Sequence, residues 1–313
     1  MTPPIAQGYP DYKALKAIAD VYSLRYQTKF YHKSPVALMT NSDFSADVNK
    51  PGDKVIIPVI PTTTIKSYTV GGTMEPENPQ ASPIEFPMNQ ASYFYIMLDK
   101  ITKHQMVNGK EFIDKCTQDA GEQTNIYISN LFLADIVNNA HSQNQGNAAG
   151  SSGDIKLGTT GTFPTITAAN VLKYIIACQV VGDQQQWPDE GRWITLPSLV
   201  AGCIQLSDLK DANLTGDAIT PLRHGKVGRI GKMTVILSDQ VASVTDTGST
   251  VYKIPFGHSS AIGFGSKVIE SVYFDKFEKQ AGEGIRVLNL FDWKVVNDKG
   301  LGVLYAAADL GLE

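Results

Sequence analysis

The sequence predicts an α+β fold in which one long helix lies between two regions rich in β-strand. Two observations lead to this prediction. Residues 106–140 have helical composition and contain no proline, whereas residues 54–98 and the last fifty residues alternate apolar and polar side chains as strands do. No repeat of 20–50 residues is visible, so a repeat architecture is not predicted.

The amino-terminal region begins with a predicted helix at residues 11–26. Its apolar side chains recur three and four positions apart and form one stripe. They are Tyr12, Leu15, Ile18, Ala19 and Tyr22. A single amphipathic helix cannot bury such a stripe by itself, so we expect it to dock on the body of the protein or on another subunit.

Residues 54–98 read as a long two-stranded ribbon. Strand-like residues at 54–60 and 65–70 are followed by a segment rich in glycine and proline at 71–80, and strand-like residues return at 84–98. Prolines in the first strand indicate an edge or a bend. An isolated two-stranded ribbon is at best marginally stable, so the pattern predicts that something outside the ribbon supports it.

The longest predicted element is a helix within residues 106–140. Apolar residues recur there at spacings of three, four and seven, among them Phe112, Tyr127 and Leu131. If the helix is continuous from 110 to 139, it is about 45 Å long at ~1.5 Å per residue. We expect it to be the scaffold of one domain.

The region after this helix mixes loop, helix and strand. Residues 142–153 are small and polar, and we expect a flexible surface loop or a domain boundary. Thr167 is the predicted N-cap of a second helix that ends at Gly182. A short strand at 192–196 precedes a short helix that runs through about 206.

The rest of the chain is predicted to be mostly strand. Residues 233–237 are almost continuously apolar, which is typical of a buried strand. Alternating residues follow at 268–277, at 285–290 and at 293–296. These segments account for the β-rich carboxyl-terminal region.

The composition is that of a folded protein with a thinly charged surface. Apolar residues make up 42% of the chain, which is enough for a substantial core and excludes wholesale disorder. Charged residues make up 19%, below the roughly 25% of ordinary globular proteins, and a surface so poor in charge favours association. The 27 Lys and Arg residues against 31 Asp and Glu residues exclude a strongly basic nucleic-acid-binding protein.

Three cysteines, Cys116, Cys178 and Cys203, are widely spaced and form no CxxC pair. We therefore expect small buried hydrophobic residues and no disulfide framework. The amino terminus has neither the charged nor the apolar region of a signal peptide, and no apolar run approaches the ~20 residues that span a bilayer. We expect synthesis in a reducing cytoplasm and no association with a membrane.

No catalytic or cofactor motif is recognisable in the sequence. Five residues separate Gly225 from Gly231 and Lys232 where a phosphate-binding P-loop has four, and Met233 stands where that loop has Ser or Thr. The five histidines have no metal-ligand spacing, and no GxSxG nucleophile motif is present. We expect no catalytic residue, no cofactor and no metal site, and hence no enzyme.

A basic cluster occupies the region before the buried strand at 233–237. Its members are Arg223, His224, Lys226, Arg229 and Lys232. The cluster could contact nucleic acid, but a solvated loop or ion pairs with acidic neighbours are the favoured interpretation.

Three stretches of the chain carry a family resemblance. The first joins residues 51–58 (PGDKVIIP) to an aromatic return at 90–94 (QASYF). The second is the turn, Arg, strand and proline of 187–197 (WPDEGRWITLP), and the third is the glycine-rich run and strand of 225–238 (GKVGRIGKMTVILS). In this order and spacing they resemble the Hong Kong ninety-seven-type major capsid proteins of tailed double-stranded-DNA phages. In the third stretch, Lys232 and Met233 stand where an apolar or aromatic residue is commoner.

The resemblance implies a phage major capsid fold with named regions. Residues 1–50 would be the amino-terminal arm, too short for a built-in scaffolding domain, and 51–99 an extended loop, a β-hairpin that reaches over a neighbouring subunit. Residues 100–165, with the long spine helix, and the strands and carboxyl terminus of 259–313 would form the peripheral domain. Residues 166–258 would form the axial domain, around the five- and sixfold axes of a shell.

The resemblance also implies a structural function. The chain would assemble with itself into hexamers and pentamers that form an icosahedral or prolate head shell around the phage genome. Its other partners would be a portal protein and scaffolding or decoration proteins. Its place would be the virion capsid, after synthesis in the host cytoplasm. With a net charge of −4, its contact with packaged double-stranded DNA is expected to be weak and non-specific.

The extended loop would make the contact between subunits. The predicted contact residues are Ile65, Lys66, Tyr68, Val70, Met74, Glu75, Glu77, Ile84 and Phe86. Strand pairing and apolar burial across subunits would supply the support that the isolated ribbon lacks.

Two alternatives stay open at this point. The first keeps the fold but makes the chain the shell of an encapsulin-like cargo compartment, which a neighbouring enzyme gene would favour over terminase and portal genes. The second is an enzyme or ligand-binding α+β domain with an unrecognised site. A compact monomer of 34.0 kDa at high concentration would favour that second alternative.

Overall fold

The computed structural model describes residues 29, 31–32, 34–41, 54–59, 61, 63–78, 83–105, 109–207, 228–275 and 281–311. The helix predicted at 11–26 lies outside these residues. So do three members of the basic cluster, Arg223, His224 and Lys226.

The described residues contain five α-helices and twelve β-strands. The helices are α1 (Val36–Met39), α2 (Lys100–Gln105), α3 (Gly109–Ile136), α4 (Val171–Gln184) and α5 (Ser198–Leu206). The strands are β1 (Lys54–Ile57), β2 (Ile84–Pro87), β3 (Gln90–Asp99), β4 (Thr165–Ile166), β5 (Arg192–Leu196), β6 (Arg229–Ile230), β7 (Met233–Leu237), β8 (Ser243–Asp246), β9 (Ser249–His258), β10 (Ile262–Phe274), β11 (Gly282–Val295) and β12 (Leu301–Ala308). None of these helices is long and apolar enough to cross a membrane.

Three sheets organise these elements, and the α+β prediction is confirmed. A seven-stranded mixed sheet follows the order β4-β12-β9-β5-β7-β6, with β8 paired to β9. Together with α4 and α5 it encloses the main apolar core. An antiparallel three-stranded sheet follows the order β10-β11-β3, and a two-stranded ribbon joins β1 to β2.

The long helix α3 is one continuous helix of 28 residues, as the sequence predicts. Its carboxyl-terminal part buries Phe132, Leu133 and Ile136 in a second apolar core, which takes residues from both larger sheets. Trp293 of β11 fixes the contact. Its ring meets Phe132 edge-on at 5.6 Å, and its indole N–H donates to Asp135 Oδ2 at 2.7 Å. The helix therefore connects the two sheets.

Helix α4 begins and ends later than the sequence predicts. Gly182 does not stop the helix but lies inside it, because the helix continues to Gln184. The glycine instead makes room for Trp187, since a Cβ at this position would lie 2.6 Å from a ring atom of that residue. Asn170, and not Thr167, directly precedes the first helical residue.

Residues 142–153, for which the sequence predicts a flexible surface loop or a domain boundary, are anchored to the body of the protein. Asn144 is fully buried, and its side-chain amide donates to the backbone oxygens of Lys299 and Leu301 at 2.8 and 3.0 Å. Ala149 is also fully buried, in the main core. These two inward-pointing residues hold the segment against the start of β12 and against the core.

The last strand belongs to the seven-stranded sheet. β12 pairs antiparallel with β9, from Leu301 opposite Gly257 to Ala307 opposite Val251, and seven of its eight residues are buried. Near-continuous apolar sequence is typical of a strand covered on both faces. Residues 301–308 thus lie in the same sheet as strands of the region 166–258, although the family resemblance assigns 259–313 to the peripheral domain.

The predicted ribbon is formed only at its base. β1 and β2 pair over four residues, and the last pair is Ile57 opposite Ile84. Continuing this register places Pro58 opposite Pro83, and neither has a backbone N–H to donate, so the ladder ends there. The strand predicted at 65–70 does not form within the described chain. β3 is not the ribbon's second strand, because it pairs with β11 over its whole length.

Candidate assembly surfaces

Residues 63–78, which we call the extended segment, are exposed along their whole length. Three large apolar side chains are almost entirely in solvent: Ile65 is 91% exposed, Val70 95% and Met74 73%. Single exposed apolar residues are common on protein surfaces. Three of them on one segment, which contributes to no core cluster of the described residues, indicate a contact surface.

The extended segment is folded as a hairpin. A hydrogen bond from the Gly72 N–H to the Thr69 oxygen at 2.8 Å closes its turn, and Gly71 supplies the φ of +85° that such a turn requires. Farther down, the N–H and the hydroxyl of Thr64 donate to the two carboxylate oxygens of Glu77, at 3.1 and 3.2 Å. These pairs keep the register of β1 and β2, so the ribbon and the turn are two ends of one hairpin.

The base of the hairpin is held by a small apolar cluster. Phe86 and Ile57 are buried at its centre. Partly buried apolar side chains surround them: Val55, Ile84, Met88 and Val296. The Asn89 N–H donates to Asp292 Oδ2 at 3.0 Å, which ties the end of the ribbon to β11. The base is therefore part of the protomer's own packing.

The nine predicted contact residues fall into two groups. Seven are exposed in the extended segment: Ile65, Lys66, Tyr68, Val70, Met74, Glu75 and Glu77. Ile84 is half-buried and Phe86 is fully buried in the base. Phe86 is therefore a packing residue of the protomer and is not available to a neighbouring subunit while the base is intact.

A second exposed surface is one face of the three-stranded sheet. On β3, Tyr93, Tyr95 and Met97 share this face and are 75%, 48% and 42% exposed. Beside them, the Arg286 guanidinium of β11 lies over the Phe274 ring of β10 at 5.2 Å. Sequence reasoning missed this surface because it assigned β3 to the ribbon.

Three residues of the predicted amino-terminal arm bind along α3. Lys29 Nζ and the Tyr31 hydroxyl donate to Asp119 at 2.8 and 2.9 Å, and the Ser129 hydroxyl donates to Ser34 at 2.8 Å. The hydrogen bonds from Lys29 and then Tyr31 lower the pKa of Asp119 below its usual range. No sequence pattern indicates these contacts, because they join residues 88 to 95 positions apart.

The basic side chain of Lys232 is paired with two acids. Its Nζ lies 2.8 Å from Asp189 and 3.1 Å from Asp183, so the ion-pair interpretation is confirmed for this residue. Arg192, with a side chain 1% exposed, binds Asp183 at 2.6 Å and two backbone oxygens of the preceding turn. Burial acts to raise the pKa of Asp183, but the hydrogen bonds from Arg192 and Lys232 outweigh it and lower the pKa.

The cysteines and histidines form no grouped site in the described part of the chain. No set of three or more His, Cys, Asp or Glu side chains there could hold a metal ion. All three cysteines are free thiols; Cys178 and Cys203 are buried as predicted, and Cys116 is half-buried. Burial raises the pKa of the Cys178 thiol, which keeps it protonated and unreactive.

The chain is similar to known proteins in its structure, whereas comparisons of its sequence find no match. No protein-family model and no curated protein matches the sequence. A solved structure from Mycobacterium phage Che8 matches with a TM-score of 0.73 at 18% identity, covering 91% of this chain and 96% of its own.

Two further structures extend this likeness. The capsid of cyanophage P-SCSP1u has a TM-score of 0.67 at 11% identity and covers 94% of both chains. The capsid of Ralstonia phage GP4 has a TM-score of 0.61 at 11% identity and covers 100% of both chains. The likeness therefore extends over the whole fold and not over one part of it. The chain has the fold of phage capsid proteins, which confirms the fold that the sequence resemblance predicts.

Proposed function

We propose that this chain is the major capsid protein of a tailed double-stranded-DNA phage and that copies of it form the head shell. The observation that carries the proposal is the match of its fold to phage capsid structures over 91% or more of both chains. The function would be structural, without an enzymatic step. The exposed hairpin adds a physical reason for self-assembly.

Assembly would give the extended segment the support that it lacks in the protomer. Burial of a large apolar side chain contributes about 1.5–3 kcal/mol, and Ile65, Val70 and Met74 are each available for it. A closed symmetric shell repeats the same contact at every subunit, so modest contacts add up over many copies. We propose hexamers and pentamers as the units of that shell, with the seven exposed predicted residues among the contacts.

The remaining parts of the proposal concern partners and place. The shell would enclose the phage genome in the virion, with a portal protein and scaffolding or decoration proteins as further partners. A net charge of −4 supports weak, non-specific contact with the packaged DNA, because a negative chain gains little from the release of counterions. Synthesis would take place in the host cytoplasm.

Electron microscopy of the purified protein, together with sedimentation, tests the proposal. Angular shells or sheets of hexamers are the expected result. Shells from a lysate that hold DNA would support a phage head, whereas shells that hold an enzyme would point to a cargo compartment. A monomer of 34.0 kDa under every condition of salt and concentration would contradict both forms of shell.

A further inference from the structure

A cavity of about 400 Å³ lies on one face of the seven-stranded sheet. Leu304 and Ala306 of β12 point into the main core. Val303 and Tyr305 alternate with them along the strand, so they lie on the opposite face, where they line the cavity. The turn that ends α3 and the loop that follows it form the other walls. Small-molecule sites commonly have volumes of about 300–1,000 Å³, so the cavity is large enough for a small organic ligand.

The described lining of the cavity contains one charged side chain, and this side chain has no counter-charge. Lys253 of β9 lies beside Tyr305 in the sheet, is half-buried and makes no ion pair with any described residue. The carboxylate that contacts Tyr305 is bound to other donors: Asp246 Oδ2 accepts from the Tyr305 hydroxyl at 2.9 Å and from the Gly161 N–H at 2.7 Å. An unpaired ammonium group that is partly removed from water favours the binding of an anion.

Three polar side chains in the lining each keep a hydrogen to donate. Asn138 and Gln145 each donate one amide hydrogen to a backbone oxygen at 3.2 Å, and a side-chain amide carries two. The hydroxyl oxygen of Thr159 accepts from the Asn147 amide at 3.2 Å, so the hydroxyl hydrogen is left. Together with the ammonium group of Lys253, these hydrogens make the cavity rich in donors.

The arrangement of the donors suits a phosphate group better than a carboxylate. Lys253 belongs to β9, Asn138 to the turn after α3, and Thr159 to the loop, so the donors come from separate sides. A carboxylate has two oxygens in one plane, whereas an esterified phosphate presents three strong acceptor oxygens in a tetrahedral arrangement. Val137 and Val303 add apolar wall, and a bare phosphate ion would fill only part of the volume. A phosphate carried by a small organic molecule fits both properties.

We infer that this cavity binds a small phosphorylated molecule. The Lys253 ammonium group pairs with the phosphate. The free hydrogens of Asn138, Gln145 and Thr159 donate to its oxygens. The inference does not depend on the proposed function, because no residue of the extended segment or of the three-stranded sheet lines the cavity.

Lysine acetylation of the full-length protein, quantified at each residue by mass spectrometry, tests the site. The probe is adenosine monophosphate. At about ten times its dissociation constant it should slow the acetylation of Lys253 about tenfold, because about nine sites in ten are then occupied. Inorganic phosphate should protect Lys253 at higher concentration, and adenosine, which lacks the phosphate, should not protect it. Lys173, exposed on α4 and outside the cavity, is the control lysine and should react at an unchanged rate.

The source of the phosphate is tested in the same experiment. Short duplex DNA at the same phosphate concentration should not protect Lys253, because a duplex is too wide for a cavity of this size. Protection by DNA equal to that by adenosine monophosphate would overturn the assignment to a small molecule. Protection by neither adenosine monophosphate nor inorganic phosphate would overturn the inference, and so would equal protection by adenosine.

Calorimetric titration of variants with adenosine monophosphate provides an independent measurement. Lys253→Gln should weaken binding about tenfold, as expected for the loss of a hydrogen bond to a charged group. Lys253→Arg keeps the charge and should bind more tightly than Lys253→Gln, which separates loss of charge from loss of folding. Lys173→Gln is the matched control, and equal affinity of Lys253→Gln and Lys173→Gln would overturn the inference. Shells that bind no phosphorylated molecule would overturn the site alone, whereas a protein that binds the probe but never assembles would overturn the capsid function alone.

Discussion

Glu77 binds Thr64 across the extended hairpin: the N–H and the hydroxyl of Thr64 donate to the two carboxylate oxygens of Glu77, at 3.1 and 3.2 Å. Pro76, beside Glu77, has no backbone N–H to donate, and a side chain makes at this level the contact that backbone groups make at the base. The contact keeps residues 65–76 together as one projecting hairpin.

Glu77→Ala should slow assembly without destabilising the protomer. The contact lies in solvent, where a single exposed interaction contributes little to folding, so no measurable change in melting temperature is expected. The freed limbs lose their preorganisation, and shells should require a higher protein concentration. Light scattering during assembly measures the effect. Asp154→Ala removes the same charge from an exposed residue outside the extended segment and is the control. Equal assembly by the two variants would contradict the role of the contact.

Deletion of residues 65–76 should abolish shells and leave the protomer folded. These residues contribute to no core cluster of the described chain, whereas the base contains the buried Phe86. A longer deletion of 65–88 removes the base as well and should lower the melting temperature. Circular dichroism melting and electron microscopy of both variants distinguish the two effects. Loss of cooperative melting in the shorter deletion would show that the extended segment belongs to the protomer's own core.

The sequence predicts those parts of the fold whose signals are local. The helix α3 follows from the apolar periodicity of its own residues, and the strand β7 follows from a nearly continuous apolar run. Strand pairing is not local: β3 reads as the return of the ribbon, but Asp99 pairs with Gly282 far along the chain. Alternation of apolar and polar residues identifies a strand but not the strand with which it pairs. For this reason β3 is assigned to the ribbon, and the predicted ribbon is too long.

For the candidate surface, the sequence predicts which segment is exposed but not which residues of the ribbon are buried. A glycine- and proline-rich turn between unsupported limbs indicates an exposed hairpin, and Ile65 and Val70 are indeed exposed. Alternation alone cannot tell which face of a short ribbon meets the body. Packing against Ile57 and Val296 decides it, and for that reason Phe86 is buried instead of exposed.

Phe86→Ala should loosen the base of the hairpin. Truncation of a fully buried phenylalanine costs about 3–5 kcal/mol, and the lower end is expected in so small a cluster. Hydrogen exchange should accelerate at the amides of 54–57 and 84–87 before it does so in the main core. Ile56→Ala, at a position 57% exposed on the same ribbon, is the control and should change little. Equal acceleration in both variants would mean that burial of Phe86 does not hold the base.

Acidification should release the residues around Lys29 and Tyr31 from α3. Their hydrogen bonds lower the pKa of Asp119. The ionised carboxylate therefore stabilises the docked segment fully at pH values above the pKa of an unfolded aspartate, about 4. This stabilisation is lost as the pH falls through the lower pKa of Asp119 in the folded protein. Limited proteolysis of this segment from neutral pH downward measures the release. Asp119→Asn should weaken docking at neutral pH and remove the pH dependence. Asp114→Asn on the same helix is the control, and an identical pH profile in all three proteins would contradict the assignment.

Arg192→Lys should destabilise the protomer although it keeps the charge. Three different nitrogens of the Arg192 guanidinium bind Asp183 Oδ1 at 2.6 Å and the backbone oxygens of Pro188 and Trp187 at 2.6 and 2.5 Å. A lysine has a single ammonium group and cannot reach these acceptors in the same planar arrangement. Leaving a buried acceptor unsatisfied costs about 1–3 kcal/mol, so a loss of about 2 kcal/mol in the free energy of unfolding is expected from chemical denaturation. Arg229→Lys, on an exposed side chain beside the same turn, is the matched control, and equal stability of the two variants would contradict a structural role for the buried guanidinium.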